Sequence, residues 1–277
     1  MGDTTGISWT KSTMNFWMGC QRVSPACEHC YAETLVTNRM GYSGRGGKKP
    51  LLWGPGGERH RTSAQNWSKP LQWNIDAAKS GEFWPVFASS LSDIFEDRLE
   101  LAAWRAEALA IVERTTSLTW LLLTKRTDRI LDLAPAAWID RWPPHVWIGT
   151  TIEDRRRAAE RLPHLLQVPA ATRFVSIEPQ LESLAAVDLG GVQWAITGGE
   201  SGPGARIYDP TWAAETIESA RRVGAAPFVK QMGERWARAN RARQIHGADP
   251  SEWPEALRVQ EFPRGLQLGR KVVPCSA

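Results

Sequence analysis

The chain has 277 residues, of which 42% are apolar and 23% are charged, and its net charge is +4. This composition excludes an intrinsically disordered chain, and the length suits one sizeable domain or two small ones. No apolar run approaches the roughly 18 residues of a membrane-spanning helix, and the first residues lack the apolar region of a secretion signal. We therefore expect a cytoplasmic protein without a membrane partner.

Three of the four cysteines lie within eleven residues of one another. Six residues separate Cys20 from Cys27 and two separate Cys27 from Cys30, and a Ser24-Pro25 turn can bring the three thiols together. Such a trio in a reducing compartment indicates a zinc site or an iron–sulfur cluster. Zinc would need a fourth ligand, either His29 or a distant histidine, whereas a cluster on three cysteines leaves one iron open. Three cysteines without an obvious fourth ligand favour the open cluster.

A basic, glycine-rich segment follows at residues 41–73, which we expect to be an insertion after the cysteine motif. Six cations oppose the single acid Glu58, a net charge of +5, and three tryptophans are interspersed. Flexible backbone, cations and flat aromatic rings can follow a phosphate backbone and stack on bases. The alternative is a solvated loop that its tryptophans pin to the body. The candidates for nucleic-acid contact are Arg45, Lys48, Lys49, Trp53, Arg59 and Arg61, with Trp67 and Trp73 as further stacking candidates.

Beyond residue 80, short apolar runs alternate with amphipathic stretches. The runs lie at residues 84–88, 119–124, 146–151, 173–177, 192–197 and 227–230, and the clearest amphipathic stretches are residues 97–114 and 209–223. Continuous apolar strands separated by helices predict βα units and a parallel sheet. We expect an α/β fold, a partial or complete TIM-like (β/α) barrel, with a doubly wound sheet as the alternative.

Polar residues follow each of these apolar runs. In both architectures the carboxyl ends of the strands meet at one face, where ligands bind. Six successive polar strand ends therefore predict a functional site there. The residues are Ser89, Ser90, Ser92 and Asp93; Lys125 and Arg126; Thr150, Thr151 and Glu153; Ser176, Glu178 and Pro179; Gly198, Gly199, Glu200, Ser201 and Gly202; and Lys230 and Gln231.

The last forty residues are irregular and basic. We expect one barrel domain over residues 1–235 and an extension over residues 236–277 that packs on it, closing its open side or contacting phosphate. Cys275 is isolated from the other cysteines, so we expect it to take no part in the site.

The cysteine segment resembles the radical S-adenosylmethionine superfamily, although three extra residues separate the first two cysteines. A longer series of motifs, in order over residues 7–235, resembles the phage Gp37/Gp68 family, also called DUF5131. The motifs are NFWMGCQRVSPACEHCYAE, FASSLSDIFED, LLLTKR, VWIGTTIED, RFVSIEP, ITGGESGPGAR and FVKQMGE.

The superfamily resemblance implies a [4Fe–4S] cluster on Cys20, Cys27 and Cys30, with S-adenosylmethionine bound to its open iron. One electron, from a donor such as flavodoxin or ferredoxin, would release a 5′-deoxyadenosyl radical that abstracts hydrogen from the substrate. The implied cofactor-binding residues are Ser92, Asp93, Thr151, Glu153, Ser176, Gly198 and Gly199. Glu178, Glu200, Lys125 and Lys230 would be catalytic, and Arg126 and Arg206 would bind an anionic substrate.

These implications predict a radical enzyme, an isomerase, mutase or lyase, that acts on a nucleic-acid base or a modified nucleoside. The phage-linked family suggests DNA hypermodification in the host cytoplasm, for example rearrangement of an amino-acid-derivatised thymidine. One alternative is a zinc-stabilised nucleic-acid-binding protein without catalysis. The other is a radical lyase that repairs DNA lesions.

Overall fold

A computed structural model of the chain describes residues 5–44, 49–202 and 204–271. Its centre is a sheet of seven parallel strands that lie in chain order from one edge to the other. The strands of this sheet are β1 (Ser12–Met14), β4 (Pro85–Ala88), β5 (Thr119–Thr124), β6 (Val146–Thr151), β7 (Arg173–Ile177), β8 (Trp194–Gly198) and β9 (Ala226–Gln231). A separate antiparallel pair joins β2 (Trp17–Met18) to β3 (His60–Arg61).

Helices connect the successive strands. They are α1 (Tyr31–Thr34), which continues into a π-helical turn (Leu35–Arg39), α2 (Ala64–Ser80), α3 (Ala102–Arg114), α4 (Ile130–Leu133), α5 (Ala136–Asp140), α6 (Arg155–Gln167), α7 (Pro210–Arg222) and α8 (Glu234–Ala239). Short 3-10 turns occupy Pro25–Cys27, Leu99–Leu101, Thr127–Arg129, Pro250–Glu252, Glu255–Leu257 and Pro263–Gly265. Within the described ranges, no helix is long and apolar enough to cross a bilayer.

The strand order decides between the two expected architectures. A doubly wound sheet reverses its order at a switch point, whereas here each strand adds beside the preceding one. Right-handed connections then keep the helices on one face, and the sheet curls around the other. In the described residues no pairing joins β1 to β9, so the sheet is an open half-barrel. The expectation of a partial barrel is confirmed, and the doubly wound alternative is wrong.

Alternate residues of each strand build two different cores. Val86, Trp120, Leu122 and Ile148 point toward the helices and belong to the larger core. The residues between them, with Trp194 at the centre, form an aromatic core on the concave face that comprises Trp9, Phe83, Phe87, Leu121, Trp147, Phe174, Trp194, Ile196, Phe228 and Phe262. Because both faces of the sheet are buried, the strands read as continuous apolar runs rather than as alternating ones.

The carboxyl-terminal segment covers the amino end of the concave core. Glu261 donates its backbone N–H to the Pro227 carbonyl at the edge of β9 (3.0 Å), and Phe83 N–H donates to the Arg270 carbonyl (3.1 Å). Between these contacts the Phe262 ring lies 5.2 Å from that of Trp194. The segment therefore connects the last strand to the beginning of β4. The expected domain boundary after residue 235 falls inside α8.

The segment 41–73 is only partly a loop. Residues 64–73 form the first part of α2, which begins where the Ser63 hydroxyl accepts a hydrogen bond from Asn66 N–H (3.4 Å). Trp67 and Trp73 lie on the buried face of this helix, so neither offers a stacking surface for a base. Arg45, Lys48 and Cys275 lie outside the described residues.

Candidate functional site

A cavity of about 340 Å³ opens at the carboxyl ends of the strands, and its size is typical of a small-molecule site. The cysteine segment forms one wall, and residues that follow strands β4 to β9 form the others. Of the residues that the sequence singled out, those that line it are Cys20, Cys27, His29, Cys30, Trp53, Ser89, Ser90, Ser92, Asp93, Lys125, Arg126, Thr151, Ser176, Glu178, Pro179, Glu200, Ser201, Lys230 and Gln231. The parallel topology therefore brings together side chains as far apart in the chain as Cys20 and Lys230.

All three cysteines of the trio are free thiols at this cavity. Burial raises the pKa of Cys20 to about 12, and the Arg126 guanidinium opposes this shift. Burial likewise raises the pKa of Cys30. A thiolate at either position therefore needs a counter-charge, which a bound metal centre supplies.

The three thiols are soft donors of the kind that iron–sulfur clusters and zinc take, so their chemistry fits such a group. In the described part of the chain, no three His, Cys, Asp or Glu side chains are placed to hold one metal ion. Two hydroxyls at the same cavity, those of Ser89 and Ser92, are buried and have no hydrogen-bond partner among the described residues, which leaves them available to a bound group.

Arg126 connects the first cysteine to a buried carboxylate. Its Nη1 lies 3.8 Å from Cys20 Sγ and donates to Asp93 Oδ2 at 2.7 Å. Asp93 also accepts hydrogen bonds from the Thr124 hydroxyl (2.7 Å) and from Lys125 N–H (3.1 Å). Burial raises the pKa of Asp93, but Arg126 and these donors outweigh it and hold the pKa below its usual value. Arg126 is therefore occupied by Asp93 and contacts the cysteine side of the cavity.

Three further charged residues face the same cavity, Lys125, Glu178 and Lys230. Lys230 donates a hydrogen bond from Nζ to Glu178 Oε1, and this ion pair spans the ends of β9 and β7. Lys125 is half-buried, and within the described ranges its ammonium group has no ion-pair partner. The cavity thus contains a paired acid and base together with one cation that is free to meet an anionic group.

Glu153 does not line the cavity, where the sequence analysis had expected a cofactor contact. Its side chain is fully buried, forms an ion pair with Arg161 (2.8 Å), and accepts a hydrogen bond from Ala26 N–H (3.3 Å). The Glu153 carboxylate therefore holds the cysteine segment in place through the Ala26 backbone. The sequence does not reveal these contacts, because Arg161 lies in the following helix α6 and Ala26 contributes only its backbone N–H.

Gly198 and Gly199 are also absent from the cavity wall. A Cβ at Gly199 would lie 2.5 Å from the Met232 carbonyl oxygen and 2.8 Å from Tyr208 Cβ. The two glycines therefore allow the ends of β8 and β9 to pack closely. Arg206, which was expected to bind substrate, instead pairs with Glu200 at 2.7 Å.

The described nucleic-acid candidates Lys49, Arg59 and Arg61 each have a partner within the protein. Arg59 is buried, donates to both Glu96 oxygens (2.7 and 2.6 Å), and is not exposed to a nucleic acid. Arg61 pairs with Glu107 at 2.6 Å and stacks on Trp67. Lys49 donates to the Met40 carbonyl (2.7 Å). Of the candidates in this segment, Trp53 alone reaches the cavity among the described residues.

Three residues of the site, Trp9, Phe87 and Tyr31, carried no signal in the sequence, and His29 was considered only as a zinc ligand. Trp9 and Phe87 form an apolar wall, with ring centroids 4.7 Å apart, and the buried Trp9 indole N–H has no hydrogen-bond partner among the described residues. Tyr31 donates a hydrogen bond to the Ser90 carbonyl at 3.0 Å. His29 contacts Glu200, which follows β8. Only the position of Tyr31 and His29 beside the cysteines could have drawn attention to them.

Comparison with known proteins gives a family and two structural similarities. None of the curated proteins matches the chain significantly. Two solved structures of spore photoproduct lyase resemble it, one a cysteine-to-alanine variant with dinucleoside spore photoproduct and one a tyrosine-to-phenylalanine variant. Each has a TM-score of 0.41 and 12% identity, over 75% of this chain and 60% of the lyase chain. The chain thus spans less than two thirds of the length of these structures.

The sequence itself matches one family model over residues 4–260, nearly its full length. That family is described as a protein of unknown function. The chain therefore belongs to the DUF5131 family.

Proposed function

We propose that this protein is a radical S-adenosylmethionine enzyme that holds a [4Fe–4S] cluster on Cys20, Cys27 and Cys30. The observation that carries the proposal is the position of the three thiols: they line one cavity at the carboxyl edge of an open parallel half-barrel. When bound, the cluster and S-adenosylmethionine supply the one-electron chemistry that generates a 5′-deoxyadenosyl radical. The thiols have no disulfide partner among the described residues, which suits a reducing compartment, and we propose the cytoplasm.

The side chains of the cavity have separate tasks in this proposal. Lys125, which has no ion-pair partner in the described part of the chain, binds an anionic group of the cofactor or substrate. The hydroxyls of Thr151 and Ser176 and the carboxylate of Asp93 orient the cofactor by hydrogen bonds. Lys230 and Glu178 hold and exchange a proton next to the substrate. The aromatic wall of Trp9 and Phe87 excludes water, and with it competing donors of hydrogen atoms.

The substrate in this proposal is a nucleic-acid base or a modified nucleoside. Two features of the cavity support a planar, anionic substrate. The Lys125 ammonium group has no ion-pair partner among the described residues, and in the aromatic wall the Trp9 indole N–H has no hydrogen-bond partner among them. The described candidates Lys49, Arg59 and Arg61 add no support, because each already has a partner within the protein. The specific reaction that we propose is hypermodification of phage DNA, such as rearrangement of an amino-acid-derivatised thymidine, with flavodoxin or ferredoxin as electron donor.

Anaerobic reconstitution tests the proposal. Protein supplied with iron and sulfide should bind both, in a ratio near one, and with dithionite and S-adenosylmethionine it should release 5′-deoxyadenosine. Cys20→Ala, Cys27→Ala and Cys30→Ala should each abolish cluster binding and turnover, whereas Cys275→Ala should leave both unchanged. Zinc in place of iron and sulfide, with salt-dependent DNA binding, would instead establish the non-catalytic protein.

The substrate requires separate experiments. Hypermodified phage DNA, the corresponding nucleosides and ultraviolet-damaged DNA should be incubated with loaded enzyme and digested for mass analysis. Consumption of the modified thymidine alone supports the hypermodification enzyme, and consumption of the lesion alone supports a repair lyase. If neither nucleic-acid substrate is consumed by an enzyme that forms 5′-deoxyadenosine, the nucleic-acid part of the proposal is wrong.

A further inference from the structure

Six residues separate the first two cysteines, and contacts from other parts of the fold hold this segment in place. Its own regular structure is a single 3-10 turn, Pro25–Cys27. A short turn of this kind is marginal by itself, and every additional residue in a loop adds conformations that must be lost when the thiols are positioned. Residues 25–29 are held by side chains that follow other strands of the sheet.

Arg206 makes the largest number of these contacts. From the loop after β8 its Nη2 donates to the Pro25 carbonyl at 3.0 Å, and its Nη1 donates to Glu28 Oε2 at 3.0 Å. The same side chain is itself fixed, because Nη2 donates to Glu200 Oε1 at 2.7 Å and Nε donates to Glu200 Oε2 at 3.0 Å. A bidentate guanidinium–carboxylate pair has a defined direction as well as a charge. Arg206 thus holds both sides of the turn that leads into Cys27.

Glu200 adds a second connection on the far side of Cys27. Its Oε2 lies 3.0 Å from His29 Nδ1, one residue before Cys30. Burial raises the pKa of Glu200, but hydrogen bonds from Arg206 and His29 outweigh it and hold the pKa below its usual value. The Glu200 backbone is anchored in turn, since its carbonyl accepts a hydrogen bond from Glu234 N–H at 2.9 Å. The loop after β8 therefore presents a fixed carboxylate to the cysteine segment.

Glu153 holds the segment from the other direction. Its carboxylate accepts from Ala26 N–H at 3.3 Å, and Arg161 keeps it in place at 2.8 Å. We call Glu153, Glu200 and Arg206 the cysteine clamp. Together they contact Pro25, Ala26, Glu28 and His29, which flank Cys27 on both sides and lead on to Cys30.

We propose that the cysteine clamp positions Cys27 and Cys30 to receive the cluster, so that Glu153, Glu200 and Arg206 are positioning residues that bind neither cofactor nor substrate. This inference rests on the proposed cluster-binding function and deepens it. It reassigns three residues for which the sequence suggested catalytic, cofactor or substrate roles. Its chemical basis is general: partners that orient the ligands of a metal centre control how tightly that centre is held.

The test uses Arg206→Met and Arg206→Lys, because Arg206 is partly exposed whereas Glu153 is part of a buried pair whose loss would threaten the fold. Arg221→Met is the matched control, since it removes a half-exposed ion pair with Glu261 (3.1 Å) from the carboxyl end of α7. Each protein is reconstituted anaerobically, and the release of cluster iron to a chelator is followed by absorbance. The melting temperature and the near-ultraviolet circular dichroism of each apoprotein are measured in parallel.

Arg206→Met should hold the cluster about 10- to 100-fold more weakly, the range for loss of an outer partner of a metal ligand, while its apoprotein melts as wild type does. Arg206→Lys should be intermediate, because an ammonium keeps the charge but not the forked geometry. Glu200→Gln should weaken the cluster in the same way, and Arg221→Met should match wild type.

Wild-type iron retention in Arg206→Met would overturn the inference. So would cluster loss that is matched in every variant by a lower melting temperature of the apoprotein, because the clamp would then be only structural. Failure of the proposed function is distinguishable from both outcomes, since the wild-type protein would then bind no iron and sulfide at all.

Discussion

Charged side chains around the cavity take their partners from distant parts of the chain, and this determines what each of them does. Arg126 lies between Asp93 and the Cys20 sulfur, and Arg59 forms a buried ion pair with Glu96. Both are arginines of a basic protein, yet neither is free to bind a phosphate. Because removal of one member of a buried pair leaves an uncompensated charge, such residues are expected to matter for stability first.

The pair between Arg59 and Glu96 provides a direct test. Arg59→Met should lower the free energy of unfolding by about 3–5 kcal/mol, because the buried Glu96 would lose its closest ion-pair partner and keep only Arg126, at 3.6 Å, among the described residues. Arg61→Met, which removes the more exposed pair with Glu107, should cost less than about 1 kcal/mol. Urea unfolding of the apoproteins measures both values. Equal losses for the two variants would contradict the buried role of Arg59.

Asp93 should make stability dependent on pH in the acid range. Its pKa in the folded protein lies below the ordinary value, which is about 3.9 in an unfolded chain. The ionised carboxylate therefore contributes its full stability above about pH 5, and the contribution is lost as the pH falls through the folded pKa. Urea unfolding between pH 3 and pH 7 should show a shallower acid decline for Asp93→Asn than for wild type. Parallel declines would show that Asp93 is not a source of the acid sensitivity.

At the scale of elements, the ends of β8 and β9 approach so closely that glycine is required. Gly199 lies against the backbone of Met232 and Gly233, and the next residue, Glu200, is aimed back toward the cysteine segment. The close packing of two strands therefore sets the direction of a charged side chain at the cavity. In the sequence, the same paired glycines suggested close approach of a cofactor.

A pair of alanine substitutions separates these two interpretations. Gly199→Ala should lower the free energy of unfolding by about 1–3 kcal/mol, the usual cost of overpacking, because its Cβ would meet the Met232 carbonyl at 2.5 Å. Gly56→Ala should be nearly neutral, since nothing lies within 4 Å of its Cβ. Thermal or urea unfolding without any cofactor measures the difference. A stable Gly199→Ala protein that fails only to bind S-adenosylmethionine would favour the cofactor interpretation.

Across the whole molecule, the carboxyl-terminal segment completes the concave core. Phe262 packs against Trp194, Phe228 and Phe83, which belong to β8, β9 and the approach to β4. An open half-barrel leaves its concave face without a second layer, and an aromatic side chain from outside the sheet covers part of it. The basic composition of this segment suggested a phosphate contact, but its position also gives it a role in the core.

Phe262→Ala should therefore destabilise the protein by about 3–5 kcal/mol, as for other large-to-small core changes. Phe262→Leu, which keeps most of the apolar volume, should cost less than half as much. Urea unfolding compares the two, and tryptophan fluorescence of Trp194 and its neighbours should report the transition. An unchanged free energy of unfolding in Phe262→Ala would mean that the segment contacts only the surface of the protein.

Local patterns predicted a large part of this architecture. The runs at residues 119–124, 146–151 and 173–177 coincide with β5, β6 and β7, because a strand buried on both faces must be apolar throughout. Strands β4, β8 and β9 differ from expectation by one or two residues at their ends. The helical part of residues 41–73 was missed, because Pro70 and the surrounding glycines and cations resemble a loop.

The sequence by itself determined the parallel sheet, the polar strand ends and the cysteine trio, since each of these depends on residues close together in the chain. Only the tertiary structure decided that the sheet is an open half-barrel, and which of the predicted strand-end residues line its cavity, as Asp93, Lys125 and Glu178 do. It also decided that Glu153 and Arg59 do not. The reason is physical: whether a charged side chain faces a cavity or is buried depends on a partner such as Arg161 or Glu96, and pairing of that kind is set by strand order and packing rather than by local spacing.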